Sequence, residues 1–209
     1  MMPPKYGPPF SSAVCEDNNT ISMSLLGVDA SGKLDKSLPE TLVNNILEYM
    51  SHYRTINDYL EVRSGKIYHL GFLADIFIDK TYNSATVAAN VINKIKDYMN
   101  IEKHDMGEDI FVGDLEKEIT QIDGVLSLIQ FRVYNIYGGN YSTDKAPYPQ
   151  LNDVVDCNTV NLPTFSVPDG ATAYPIDLDA IDRVLTSDYN SLFEIFNSTN
   201  DIKVRIKSR

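Results

Sequence analysis

Across residues 72–141 the spacing of apolar side chains spells a strand, a long amphipathic helix, a short second helix and another strand. A chain in this order must lay helices on a sheet, because an isolated helix of this length is only marginally stable in water. Asn83 or Ser84 caps the long helix. Its apolar stripe is Val87, Val91, Ile95, Tyr98 and Met99, with Asn90, Lys94 and Asp97 facing outward. Asp114 can cap the short helix, which carries Leu115, Ile119 and Ile122. Gly124 ends that helix in the left-handed conformation that glycine adopts at no steric cost. Residues 125–137 then read as a long strand with Val125, Ser127, Ile129, Phe131, Val133 and Asn135 on one face.

Upstream, residues 1–18 hold four prolines and a glycine before residue 10 and read as a flexible arm. Ile21, Met23 and Leu25 alternate weakly, as in a strand over 21–28. Ser37 with Glu40 matches a capping box, and Pro39 falls in the first turn of a helix. That helix carries Leu42, Val43, Ile46, Leu47, Met50 and Tyr53 on one face. Strands at 59–63 and 66–78 follow, with Ser64-Gly65 as the turn between them. Val43-Asn44-Asn45-Ile46-Leu47-Glu48-Tyr49-Met50 is similar to Ile92-Asn93-Lys94-Ile95-Lys96-Asp97-Tyr98-Met99. Either two related α/β units stand in tandem, or two amphipathic helices share a stripe by chance.

Past Gly138 the prolines and glycines through Pro175 exclude long helices. Residues 177–185 suit a helical turn. Residues 192–196 and 202–206 suit two short strands around Asn197-Ser198-Thr199-Asn200. The expected fold is α+β. It comprises a Pro-rich arm (1–18), two helix-on-sheet units (19–80 and 81–137) and an extended, loop-rich C-terminal arm (138–209).

With 18 basic and 29 acidic residues the formal charge is −11, which disfavours non-specific binding to nucleic acid or to anionic membranes. A chain of 209 residues can bury roughly 70% of its unfolded surface without metal or disulfide support. Cys15 and Cys157 lack CxxC spacing, which fits a reducing compartment. No run is long and apolar enough to span a bilayer, and the N-terminus lacks a signal-peptide core. Lys203, Arg205, Lys207 and Arg209 alternate with Ile202, Val204 and Ile206, giving a strand with one cationic face. Such a strand is either an edge kept soluble by its charges or one that docks on an acidic neighbour.

The chemistry-bearing patterns are thin. Gly27-Val28-Asp29-Ala30-Ser31-Gly32-Lys33 imitates a phosphate-cradling loop, but Leu34 stands where a magnesium-binding hydroxyl belongs, and a polar turn accounts for it. His52, His69 and His104 have no metal-ligand spacing. His104-Asp105 with Glu108 and Asp109 reads as a solvated connector ahead of a carboxylate-rich metal site. No Gly-x-Ser-x-Gly elbow occurs, and neither cysteine has a nearby histidine in sequence. No cofactor and no catalytic residue is assigned. The thirteen tyrosines carry more weight, since a large ring with a polar tip suits protein interfaces as well as cores.

Several runs together resemble a family. These are residues 42–78, with Tyr53-Arg54-Thr55-Ile56-Asn57-Asp58, and residues 87–99. Ile122-Asp123-Gly124-Val125, Val133-Tyr134-Asn135 and Gly138-Gly139-Asn140-Tyr141-Ser142 follow. Leu192-Phe193-Glu194-Ile195 and Asp201-Ile202-Lys203-Val204-Arg205 close the series. In order and spacing they resemble the later part of baseplate wedge subunits of T-even-type contractile-tailed phages, and the wider baseplate J-like family. The resemblance covers about residues 20–206, while the large N-terminal part usual in such subunits has no counterpart here. It implies a non-enzymatic virion protein of the tail baseplate or a tail ring, assembled in the host bacterial cytoplasm with copies of itself and other tail proteins. No nucleic acid, membrane or small-molecule substrate is implied as partner. Tyr134, Tyr137, Tyr141, Tyr148, Lys203 and Arg205 are the expected assembly contacts. A short-tail or neck adaptor or receptor-binding module is the alternative, and a phage-encoded enzyme a further one.

Overall fold

Residues 11–17, 20–53, 58–151, 165–168 and 170–208 are described by the structure, a computed structural model with an α+β fold. They form two compact units. The first comprises residues up to Ile67 together with His104–Glu108 and Thr186–Leu192; the second comprises Tyr68–Lys103, Asp109–Leu185 and the C-terminal segment from Phe193. The division therefore falls at Ile67/Tyr68, ahead of the expected boundary at residue 80.

In the first unit β1 (Ser11–Asp17) pairs antiparallel with β2 (Thr20–Val28), from Ser11 opposite Leu26 to Asp17 opposite Thr20. Part of the expected N-terminal arm is thus a strand, and residues 1–10 lie outside the described set. Its alternation was hidden because the half-buried positions are small, Ala13 and Cys15, while Val14 points outward. β3 (Leu34–Asp35) pairs with the end of β2.

α1 (Glu40–Ser51) starts later than the sequence suggests. Pro39 is its N-cap and makes no side-chain cap. The Ser37 N–H instead donates to the Asp35 carboxylate at 2.7 Å, so the capping box does not form. β4 (Tyr59–Ser64) then lies parallel to β2, closing a β–α–β crossover. Of the α1 stripe only Ile46 is fully buried; Leu42, Val43, Leu47 and Met50 are half-covered and Tyr53 is exposed.

β4 and β5 (Lys66–Ile78) are not a hairpin, although one residue separates them. β4 pairs with β2, whereas β5 is central to the second sheet. Gly65 is required at this junction, since a Cβ there would lie 2.8 Å from Leu26 Cγ and 2.9 Å from Met106 Cε.

In the second unit, β5 pairs antiparallel with β7 (Val125–Gly138) and parallel with β11 (Ile202–Ser208). β10 (Ser191–Glu194) also flanks β5, and β8 (Ala171–Pro175) completes the order β10-β5-β7-β8. From Ile67 to Ile76 β5 is buried on both faces. Tyr68, Leu70, Phe72, Ala74, Ile76 and Ile78 join the core beneath the helices, and Leu73 joins a smaller cluster on the reverse face. A two-stranded sheet of β6 (Ile110–Phe111) and β9 (Val184–Leu185) stands apart from this order.

α2 (Ser84–Tyr98) fulfils its pattern, burying Val87, Val91 and Ile95 with Met99 just beyond. The Asn83 side chain accepts from the Ala85 and Thr86 N–H groups at 2.9 and 3.4 Å. Replacing Asn83 with Ala should therefore lower stability by about 1 kcal/mol, whereas Asn83→Ser should nearly retain it. Chemical denaturation of the two variants checks this, and equal losses would count against the cap.

α3 (Val112–Thr120) begins ahead of Asp114, its N-cap being Phe111 in extended conformation. The helix leaves β6 directly, and the Val112 N–H donates to the Arg183 carbonyl at 3.0 Å, which replaces a side-chain cap. Gly124 is left-handed as expected (φ 90°), but in the turn into β7, since α3 already ends at Gln121.

The expected single face of β7 is broken. Register shifts occur opposite Asp75/Ile76 and Phe77/Ile78, so Ile129 and Leu126 are bulge residues. Val125, Leu128, Phe131 and Val133 consequently face the helices, while Ile129 is 41% exposed. The similar helices α1 and α2 also sit in different topologies: β4 returns parallel to β2, but β7 returns antiparallel to β5. The segment from residue 138 onward is more than an extended arm. Its described parts supply β8, β9, β10 and β11, and residues 152–164 lie outside the described set.

Candidate functional site

A buried polar cluster straddles the second sheet, with His69 on the reverse face and Asn135, opposite Leu70, on the helix face. His69, Asn135, Glu194 and Asp201 are all at most 4% exposed. His69 Nε2 lies 3.1 Å from Glu194 Oε2, and His69 Nδ1 accepts from the Ser142 backbone N–H at 2.9 Å. With Nδ1 accepting from a backbone donor, Nε2 is the nitrogen left to face the carboxylate. Ser142, His69 and Glu194 imitate a nucleophile, base and orienting acid. They lack that geometry, because the nitrogen that would take the serine proton is occupied by a backbone donor. The Ser142 hydroxyl itself accepts from the Asp144 N–H at 3.1 Å. Asn135 spans the His69 carbonyl and the Ala146 N–H at 3.1 and 3.0 Å, and Asp201 accepts from Tyr141 Oη and from the Asn197 N–H, both at 2.7 Å. This cluster pins loops to the sheet.

The expected assembly tyrosines belong largely to the same packing. Tyr134, Tyr141 and Tyr148 are buried within the chain, Tyr134 stacking on Phe165 at 4.4 Å, and Tyr137 is partly buried against Tyr174. The Tyr141 hydroxyl already has its partner inside the fold, donating to Asp201. Lys203 lies over the Phe165 ring at 4.4 Å and donates to the Ser166 carbonyl at 2.8 Å. Arg205 clasps Asp75 through Nε (2.6 Å) and Nη2. Spacing could show that these cations share a face, but not that the chain itself holds Asp75 beneath one of them.

The loop resembling a phosphate cradle is closed on itself. The Asp29 carboxylate accepts from the Ser31 and Lys33 N–H groups at 2.8 and 2.9 Å and from Ser31 Oγ at 2.7 Å. These hydrogen bonds hold its pKa below the ordinary value, the Ser31 hydroxyl contributing most. An anion would have to displace a carboxylate already seated on those donors. In the connector, the Glu108 carboxylate accepts from the Asp105 N–H at 2.8 Å and stands 3.5 Å from His104 Nδ1.

One site was not foreseen. β8 pairs with β7 only along Tyr134–Gly138, its last link being the Ile176 N–H to the Val133 carbonyl at 2.9 Å. The chain then turns away, with Gln150 bridging Ile176. Beside the remaining edge of β7 opens a groove of 370 Å³, lined by Leu128, Ile129, Arg132, Ile176, Leu178 and Arg183 among others. At its wall Asp182 and Arg183 both adopt positive φ, 51° and 57°, an arrangement that costs on the order of 1–3 kcal/mol per residue. It persists because the Arg183 N–H and carbonyl bond Leu178 and Val112, while its guanidinium bonds Glu116 and Asp179. Arg132 is less well served. Turning the Gln130 amide lets its oxygen accept from Arg132 Nε and Nη2 at 2.9 and 2.7 Å, but the buried Nη1 has no acceptor. Only the Leu126/Ile129 bulges could have hinted at this edge, and bulges leave no mark on residue spacing.

No protein-family model matches the chain, and none of the curated proteins matches it significantly.

Proposed function

We propose that this protein is a structural subunit of a phage tail baseplate or tail ring, joining copies of itself and neighbouring tail proteins by strand pairing and apolar burial. The observation that carries this reading is the exposure of large apolar side chains along sheet edges. Leu126 and Ile129 on β7 are 62% and 41% exposed, and Val14 and Tyr59 on the edge strands β1 and β4 are 57% and 73% exposed. Edges of monomeric proteins are commonly defended by lysine or proline, and an edge that carries apolar side chains instead invites pairing with another chain. The resemblance of its motif order to that of baseplate wedge proteins supports this particular assembly. Co-expression with the proteins encoded beside it, followed by light scattering and electron microscopy, tests this. Ring or wedge particles that contain the chain are expected; a chain that stays solitary beside those proteins overturns the reading and favours a monomeric adaptor.

A further inference from the structure

We infer that the free edge of β7 over residues 126–132 is a strand-addition site for an extended, acidic segment donated by another protein. This deepens the assembly reading, on which the identity of the donor rests. Among the described residues none pairs with β7 on that side beyond Val133, so its outward backbone groups await a partner strand. A strand laid there continues the line that β8 abandons after Ile176. The two bulges put Leu126 and Ile129 at the surface, where an added strand covers them. Leu128, Ile176 and Leu178 give the incoming alternate side chains an apolar wall.

Charge fixes the remaining requirement. Within the groove Glu116 and Asp179 are already bonded to Arg183, whereas Arg132 Nη1 is a buried donor without an acceptor. An Asp or Glu side chain, or a chain-terminal carboxylate, satisfies it once the guanidinium turns into the groove that Arg132 lines. Asp177 also lines the groove and repels an acid placed at that end, so the carboxylate must sit toward Arg132.

Panning a displayed random nonapeptide library against the whole chain tests the site, the selected peptide being synthesised and titrated by fluorescence anisotropy. Expected are peptides that alternate apolar residues and carry one acid, and that slow amide exchange only at 126–132. Ile129→Lys should weaken binding about a hundredfold, and Arg132→Ala about tenfold. Ile129→Lys should leave the thermal midpoint near its original value, Ile129 being exposed. Peptides indifferent to both changes overturn the inference. So does slow exchange, in the chain alone, of those amides in 126–132 that point away from β5, which would mean that its own residues or a second copy fill the edge. A chain that enters tail particles yet selects no such peptide loses this site and keeps the assembly reading.

Discussion

Raising the pH from 10 to 12 should remove several kcal/mol of stability from the second unit. Tyr174 is buried, donates to the Ala146 carbonyl at 2.6 Å, and has its pKa pushed from 10.0 up to about 12, chiefly by burial. Tyr141 is raised as well, first by burial and then by its bond to the Asp201 carboxylate. In the unfolded chain both phenols release their protons near pH 10, while the folded protein must keep them. Their contribution is therefore complete below that pH and falls as the pH climbs towards the folded values. Each phenol removes at most about 1.4 kcal/mol per pH unit, so Tyr174 alone accounts for about 2 kcal/mol across this window. Lys203, whose pKa burial lowers from 10.5, works in the opposite sense and softens the slope only at the start of this window. Urea unfolding at successive pH values measures it, with phenolate absorbance reporting which state has titrated. Tyr174→Phe and Tyr141→Phe together should flatten the curve at a cost of about 1 kcal/mol each at neutral pH. An unchanged slope in that double variant would refute this account.

Those two tyrosines mark where residue spacing stops being informative. A ring with a hydroxyl suits an interface or a core equally. What decides is whether the fold supplies an acceptor, as Asp201 does for Tyr141 across 60 residues. Local pattern carried α2 well, because Asn83, Val87, Val91 and Ile95 report only on one another. It failed for β7 ahead of Gln130, since an extra residue at Ile129 inverts the alternation without altering composition. It failed likewise at Ser64-Gly65, where two adjacent strands with a turn-like junction belong to different sheets. The groove beside β7 is illegible for the same reason: it exists only because β8 ends early against its neighbour.

Arg205→Met is expected to cost about 3–5 kcal/mol, a large effect for one half-exposed side chain. Its partner explains the size. The Asp75 side chain is 3% exposed, in the middle of β5, and β11 lies in parallel register so that Arg205 stands directly beside it. Removing the guanidinium leaves a buried carboxylate without compensation, whereas removing Asp75 leaves a cation that can rehydrate. Asp75→Ala should thus cost clearly less. The double variant Asp75→Leu/Arg205→Met should recover most of the loss, which makes the coupling measurable as a cycle of urea unfolding free energies. The same experiment separates two roles for the cationic face of β11. A residue reserved for an acidic neighbour can be lost without harm to the isolated chain, and only assembly suffers. Arg205 instead completes the sheet of its own chain, so the isolated protein should weaken first. If Arg205→Met leaves its unfolding curve untouched, the arginine belongs to a partner and the ion pair with Asp75 is incidental.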